Sequence, residues 1–197
     1  MKKVLLINTH LTYPNWSEGK LNDAFYQKAK EFFLSKGFEV LETKVEDGYD
    51  AEKEVEKHVQ ADIIILQTPI NWFGAPWIYK KYVDEVFNSG LFSEKFLSGD
   101  GRTREDLTKQ YGTGGKMQGK KFMVCSTWNA PKESFDNPNQ VLFEGRSTTD
   151  VLVAITSNYR FCGVEIVADH NCFDIFKDGD IVQDLKNYPV HLENIFC

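Results

Sequence analysis

The chain lacks the residue pairings that announce a metal site. Its four cysteines, Cys125, Cys162, Cys172 and Cys197, form no C-x-x-C pair, and its histidines, His10, His58, His170 and His191, are scattered. Only His170 and Cys172 are neighbours, and two groups do not make a zinc site; free, mostly buried thiols in a reducing compartment are expected instead. No stretch approaches the ~18 apolar residues of a membrane span, and the apolar part of Met1–Asn8 is too short for a secretion signal. A cytoplasmic protein is the expectation. No basic block or RNA-binding signature occurs, and the net charge of −6 disfavours nucleic acid and anionic membranes as partners. There is no G-x-G-x-x-G after the first strand, no G-x-x-x-x-G-K-[ST], no G-x-S-x-G and no H-E-x-x-H, which disfavours a Rossmann dinucleotide site, a P-loop, a serine hydrolase and a zinc protease. With no credible nucleophile or metal, the hard chemistry is expected from a bound cofactor.

What remains is an ordinary globular composition, 42% hydrophobic and 26% charged over 197 residues, read as a single domain spanning residues 1 to 197. The pattern alternates. Lys3 to Asn8 reads as a strand, Leu21 to Lys36 as a one-faced helix, Phe38 to Val45 as a strand, Ala51 to Gln60 as a short charged helix, and Ala61 to Gln67 as a strand buried on both faces. Pro76 opens a helix over Trp77 to Phe87. A long insertion, residues 89 to 117, then reads as a lid or binding loop. Lys120 to Thr127 is the fourth strand, Thr148 to Phe161 a helix, Val164 to Ala168 the fifth strand and Asp184 to Phe196 the last helix. Strands alternating with helices make a five-stranded parallel α/β sheet with helices on both faces. In the flavodoxin-like order 2-1-3-4-5, ligands bind beyond the strand ends at the switch point. That singles out the loops Thr9 to Lys20, Thr68 to Pro76 and Trp128 to Lys132.

Those loops are unusual. After the third strand comes Gln67-Thr68-Pro69-Ile70-Asn71-Trp72-Phe73-Gly74-Ala75-Pro76-Trp77, where proline and glycine restrict a turn crowded with aromatic rings. Asn71 and the peptide N–H groups of this turn, with an aromatic wall, suit a flat heterocycle. After the fourth strand, Thr127-Trp128-Asn129-Ala130-Pro131 repeats the same aromatic, Asn and Pro vocabulary, and Asn129 offers donors and an acceptor to a ring edge. The first loop ends at a helix start, where Ser17, Gly19 and Lys20 could receive a phosphate, or merely cap the helix. Within the insertion, Tyr111 beside glycines could stack on a bound ring. Arg102 and Arg104 could grip a phosphate, or sit in a solvated loop.

Several strings then become recognisable: Gly74-Ala75-Pro76-Trp77, the helix Lys80 to Phe87, Gly99-Asp100-Gly101-Arg102-Thr103-Arg104, Tyr111-Gly112-Thr113-Gly114-Gly115, and Gln118-Gly119-Lys120-Lys121 through Thr127-Trp128-Asn129-Ala130-Pro131. Together they resemble the modulator of drug activity B family of bacterial NAD(P)H:quinone oxidoreductases, flavodoxin-like in fold and more distantly related to DT-diaphorase. The resemblance is close to about residue 145 and looser from Thr148 on. It implies FAD, NADPH as electron donor, quinone substrates and a homodimer with sites near the subunit boundary. Carried over, Trp16, Ser17, Glu18, Gly19, Lys20, Leu21, Asn22 and Asp23 would hold the pyrophosphate and adenosine half. Pro69, Ile70, Asn71, Trp72, Tyr111, Thr127, Trp128, Asn129 and Ala130 would surround the isoalloxazine. Apart from the resemblance, Phe73, Arg102 and Arg104 are expected to face substrate, with Arg102 or Arg104 reading the 2′-phosphate of NADPH. No side chain need be an obligate acid or base, although Tyr111 and Asn129 could take part. Competing expectations are a flavodoxin-type electron carrier, an FMN-dependent nitro or azo reductase, and a regulator that has lost its flavin.

Overall fold

The computed structural model describes every residue, Met1–Cys197. Strands β1 (Lys3–Asn8), β2 (Glu39–Lys44), β3 (Ile63–Pro69), β4 (Lys121–Thr127) and β5 (Glu165–Ile166) lie in the order β2-β1-β3-β4-β5, as the alternating pattern predicts. A further strand, β6 (His170–Cys172), also pairs with β4, and every pairing is parallel. Helices α1 (Lys20–Ser35), α2 (Ala51–Gln60), α3 (Trp77–Phe92), α4 (Thr148–Val151), α5 (Val153–Phe161) and α6 (Ile181–Phe196) cover both faces.

The uncharged run in β3 is explained by two cores that it separates. Ile63 and Ile65 join a cluster built with Phe25, Ala29 and Phe33 of α1 and Tyr188, Leu192 and Phe196 of α6. Ile64 and Leu66 join the opposite cluster with Val55 of α2, Tyr82 and Val86 of α3 and Tyr159 of α5. Side chains alternate across a strand, so a strand between two helix layers must be apolar at every position. Each such buried side chain contributes about 1.5–3 kcal/mol relative to exposure.

The structure departs from the sequence pattern at five places. The fifth strand, expected over Val164 to Ala168, is split. Phe122 pairs with Ile166 but Cys125 with His170, so two β4 residues face three, Val167, Ala168 and Asp169; the strand bulges by one residue. Helix α3 runs past the expected Phe87 because Gly90 continues it: a Cβ there would lie within 2.5 Å of the Phe96 ring, so glycine lets the ring pack on the helix. The helix expected from Thr148 is interrupted at Leu152, and α6 starts early, at Ile181, where Asp180 caps it by accepting from the Gln183 amide. The insertion is pinned at its base rather than hinged. Phe96, Leu97 and Met117 are buried, Lys116 donates its amide to the Phe96 carbonyl at 2.8 Å, and Met117 to that of Cys162 at 2.9 Å.

Candidate cofactor and substrate site

The loops leaving β1, β3 and β4 converge on a cavity of about 710 Å³. Trp16 and Ser17 form one side, Pro69, Ile70, Asn71, Trp72 and Phe73 a second, and Thr127, Trp128, Asn129 and Ala130 a third. The second and third are stitched together where the Ile70 amide donates to the Thr127 carbonyl at 2.9 Å. Volume and mostly apolar lining fall within the range of small-molecule sites.

The turn after β3 is not held by its proline and glycine alone. Asn71 and Gly74 exchange two backbone hydrogen bonds, of 2.8 and 3.2 Å, closing a two-residue hairpin over Trp72 and Phe73. Both carry positive φ, 50° and 67°. Such turns select Asn and Gly, and a bulky residue in the left-handed region costs about 1–3 kcal/mol. Phe73 recovers part of this by meeting the Phe143 ring edge-on at 5.9 Å, whereas Trp72 stands 92% exposed at the cavity mouth. Strain retained at a ligand cavity points to use.

Trp128 is not a free stacking platform. It is 2% exposed, with Phe135 at 5.0 Å, and it backs the wall instead of presenting its face. Its amide donates to the Cys172 carbonyl at 2.8 Å. The amides of Trp72, Asn129 and Ala130 find no partner within the protein and remain available to a ligand.

Along the first loop, Glu18, Gly19, Lys20 and Asp23 line a smaller polar hollow of about 330 Å³ with His10 and Glu46. Helix α1 begins there without a side-chain cap, leaving its first amides unpaired. Gly19 has φ 73°, and a Cβ on it would lie 2.6 Å from the His10 ring. That close approach leaves a cradle only glycine can form. His10 Nε2 lies 3.2 Å from Ser17 Oγ, and burial holds the His10 pKa below its ordinary value against the pull of Glu46. The Lys20 ammonium is paired with Glu18 at 2.6 Å and Lys44 with Asp23 at 3.3 Å, so the backbone is the main donor to an anion here. These features fit a ligand with a planar end and a phosphate-bearing end.

Other expected residues lie elsewhere. Leu21 packs into the core behind α1. Asn22 is buried and spent internally, its Nδ2 donating to Asn8 Oδ1 at 2.8 Å and its Oδ1 accepting from Gln67 Nε2 at 3.1 Å. Tyr111 packs on Phe161, with Arg102 5.3 Å from its ring centre, and neither lines the cavity of its own chain. The Arg102 guanidinium is gripped by Asp100 at 2.5 and 3.0 Å, and Arg104 is exposed outside the cavity.

Sequence reasoning missed the fourth wall. Leu142 and Phe143, and the stretch Asp174 to Lys177, complete the cavity. The latter docks on the third wall: the Asp174 amide donates to Ala130 O at 3.1 Å and that of Ile175 to Trp128 O at 3.2 Å. Applying the strand-end rule to the fifth strand would have pointed to it.

A family model described as flavodoxin-like fold matches residues 2–191. The NADPH:quinone oxidoreductase MdaB of Haemophilus influenzae is 39% identical over 180 residues, covering 91% of this chain and 92% of that protein. Among solved structures, a candidate quinone reductase from Klebsiella pneumoniae superposes with a TM-score of 0.77 at 21% identity, over 98% of this chain and 85% of its own. General stress protein 14 of Treponema denticola, in complex with FMN, gives 0.66 at 17% identity, over 98% of each chain.

Proposed function

The chain belongs to the flavodoxin-like fold family, and from that premise we propose that it is a flavin-dependent NAD(P)H:quinone oxidoreductase. The observation that carries the reading is the joining of an apolar cavity at the ends of β1, β3 and β4 to the uncapped, glycine-cradled start of α1. A planar ring suits the first and a pyrophosphate the second. The 39% identical relative bears the name of this activity. We assign FAD as the flavin, its pyrophosphate against Ser17 to Lys20 and its ring between the turn Pro69 to Trp72 and the wall Thr127 to Ala130. When bound, the flavin supplies a two-electron acceptor and donor for hydride.

The protein's part is positioning and electrostatics. The free amides of Trp72, Asn129 and Ala130, fixed before any reaction, would offer donors to negative charge on a bound flavin, a stabilisation that costs no reorganisation. Trp16, Phe73 and Leu142 line the cavity and would cover part of a bound ring, and Trp72 would shape the mouth used by donor and quinone. Donor and quinone would take the same place against the ring, so one must leave before the other binds, and the expected kinetics are ping-pong. No side chain acts as an obligate acid or base. Tyr111 reaches the site only if a second chain brings it, as the homodimer implied by the resemblance would.

Purified protein should be yellow, release FAD identifiable by mass, and oxidise NADPH rapidly when menadione is supplied. Release of FMN would replace the FAD assignment. Colourless protein that takes up no flavin, or a stable semiquinone without turnover, would overturn the enzyme reading.

A further inference from the structure

The bulge between β5 and β6 changes which residue faces the end of β4. Carrying the β5 register onward would set His170 opposite Ser126; the extra residue sets Asn171 there instead. We propose that Asn171 is a positioning residue for the cofactor cavity, one amide that fixes two of its walls. This rests on the reading that the cavity holds a flavin. Asn171 Oδ1 accepts from Ser126 Oγ at 2.5 Å and from Trp128 Nε1 at 3.2 Å, and Trp128 Nε1 also reaches Ser126 Oγ at 2.7 Å. On its other side, Asn171 Nδ2 reaches Thr148 Oγ1 at 3.4 Å. Trp128 begins the wall that offers the free Asn129 and Ala130 amides. Thr148 follows the segment that carries Leu142 and Phe143 and returns to the sheet at the first turn of α4.

The arrangement is built rather than incidental. Trp128 is enclosed, so its indole N–H has no water to turn to, and three neighbouring polar groups satisfy one another around it. Packing against Phe135 and Phe173 confines the Trp128 ring, and the indole bonds to Ser126 and Asn171 set its orientation, which the main-chain bond to Cys172 does not. Loss of Asn171 leaves Ser126 as sole acceptor for the indole and cuts the tie to Thr148. The expected consequence is a looser wall, with the fold intact.

The test reconstitutes apoprotein with FAD and reads its dissociation constant by flavin fluorescence, alongside the visible circular dichroism of the bound flavin. Asn171→Leu should weaken FAD at least ten-fold and alter the dichroic band, while Asn171→Asp, which keeps an oxygen at the accepting position, should restore most of both. Val55→Ala, buried in α2 away from the cavity, should lose comparable stability with FAD affinity within two-fold of wild type. Wild-type affinity and band shape in Asn171→Leu would overturn the inference, as would Val55→Ala reproducing its effect. Wild-type protein that takes up no FAD overturns the cofactor reading, and this inference with it.

Discussion

Asp169, one of the three residues of the bulge, is a carboxylate in the wrong place for stability. Both of its oxygens are sealed from solvent and make no hydrogen bond of normal geometry. Burial raises its pKa from 3.8 to about 6, and the nearby Val124 backbone and Thr149 hydroxyl only partly offset this. The sign follows. The folded state holds this proton more tightly than the unfolded chain, so the proton's contribution is fully present below about pH 3.8. It is lost as the pH rises through about 6 and changes no further above that. Roughly two pK units at 1.36 kcal/mol each make the ionised carboxylate cost about 2–3 kcal/mol at neutral pH. Asp169→Asn supplies a neutral group of the same shape. Urea unfolding of apoprotein at pH 4, 5, 6 and 7 should show variant and wild type nearly equal at the acid end and the variant more stable by about 2–3 kcal/mol at pH 7. Buried His58 and His170, each held down to about 4, titrate in the same window with the opposite slope. The difference between variant and wild type cancels them. A difference that does not change with pH, or a variant less stable at pH 7, would refute the reasoning.

Gly19→Ala should weaken FAD ten-fold or more in a reconstitution titration and destabilise the apoprotein by about 1–2 kcal/mol, because the new methyl enters the His10 ring at a positive φ; wild-type affinity would remove the cradle from the site. Trp72→Gly should raise the unfolding free energy by about 1 kcal/mol by relieving a left-handed residue, yet raise KM for menadione several-fold; a less stable variant would show that the turn is not strained. Arg102→Ala should leave the NADPH-to-NADH ratio of kcat/KM unchanged, since Asp100 occupies the guanidinium; a five-fold shift would return this arginine to the 2′-phosphate.

The strand order was legible because short uncharged runs such as Ile63 to Leu66 suit strands covered on both faces, and the helices alternating with them favour parallel pairing. Three of the loops that meet at the cavity followed from that order. The bulge did not follow, since Val164 to Ala168 reads as a plain strand and its interruption exists only in the register against β4. Nor did the left-handed turn, because neither Trp72 nor Phe73 is a residue type that advertises positive φ. The resemblance puts Asn22 with the pyrophosphate and adenosine half, but its amide closes a buried network with Asn8 and Gln67. The wall Asp174 to Lys177 follows the last strand and was open to the same strand-end rule, but its backbone bonds to Trp128 and Ala130 are encoded in no local pattern.

Those same backbone bonds give the cavity a mechanical asymmetry. Bonds from Ile70 to Thr127, Asp174 to Ala130 and Ile175 to Trp128 join three loops into one body. The loop bearing Trp16 and Ser17 closes on itself through Tyr13 and anchors to Glu46, and it bonds to none of the three. Breathing of the cavity is therefore a motion with one moving side. The side that yields is the Trp16 loop, and amide hydrogen exchange should be slow at Ile70, Asp174 and Ile175 and faster at Trp16, whose amide bonds only within its own loop, to Tyr13.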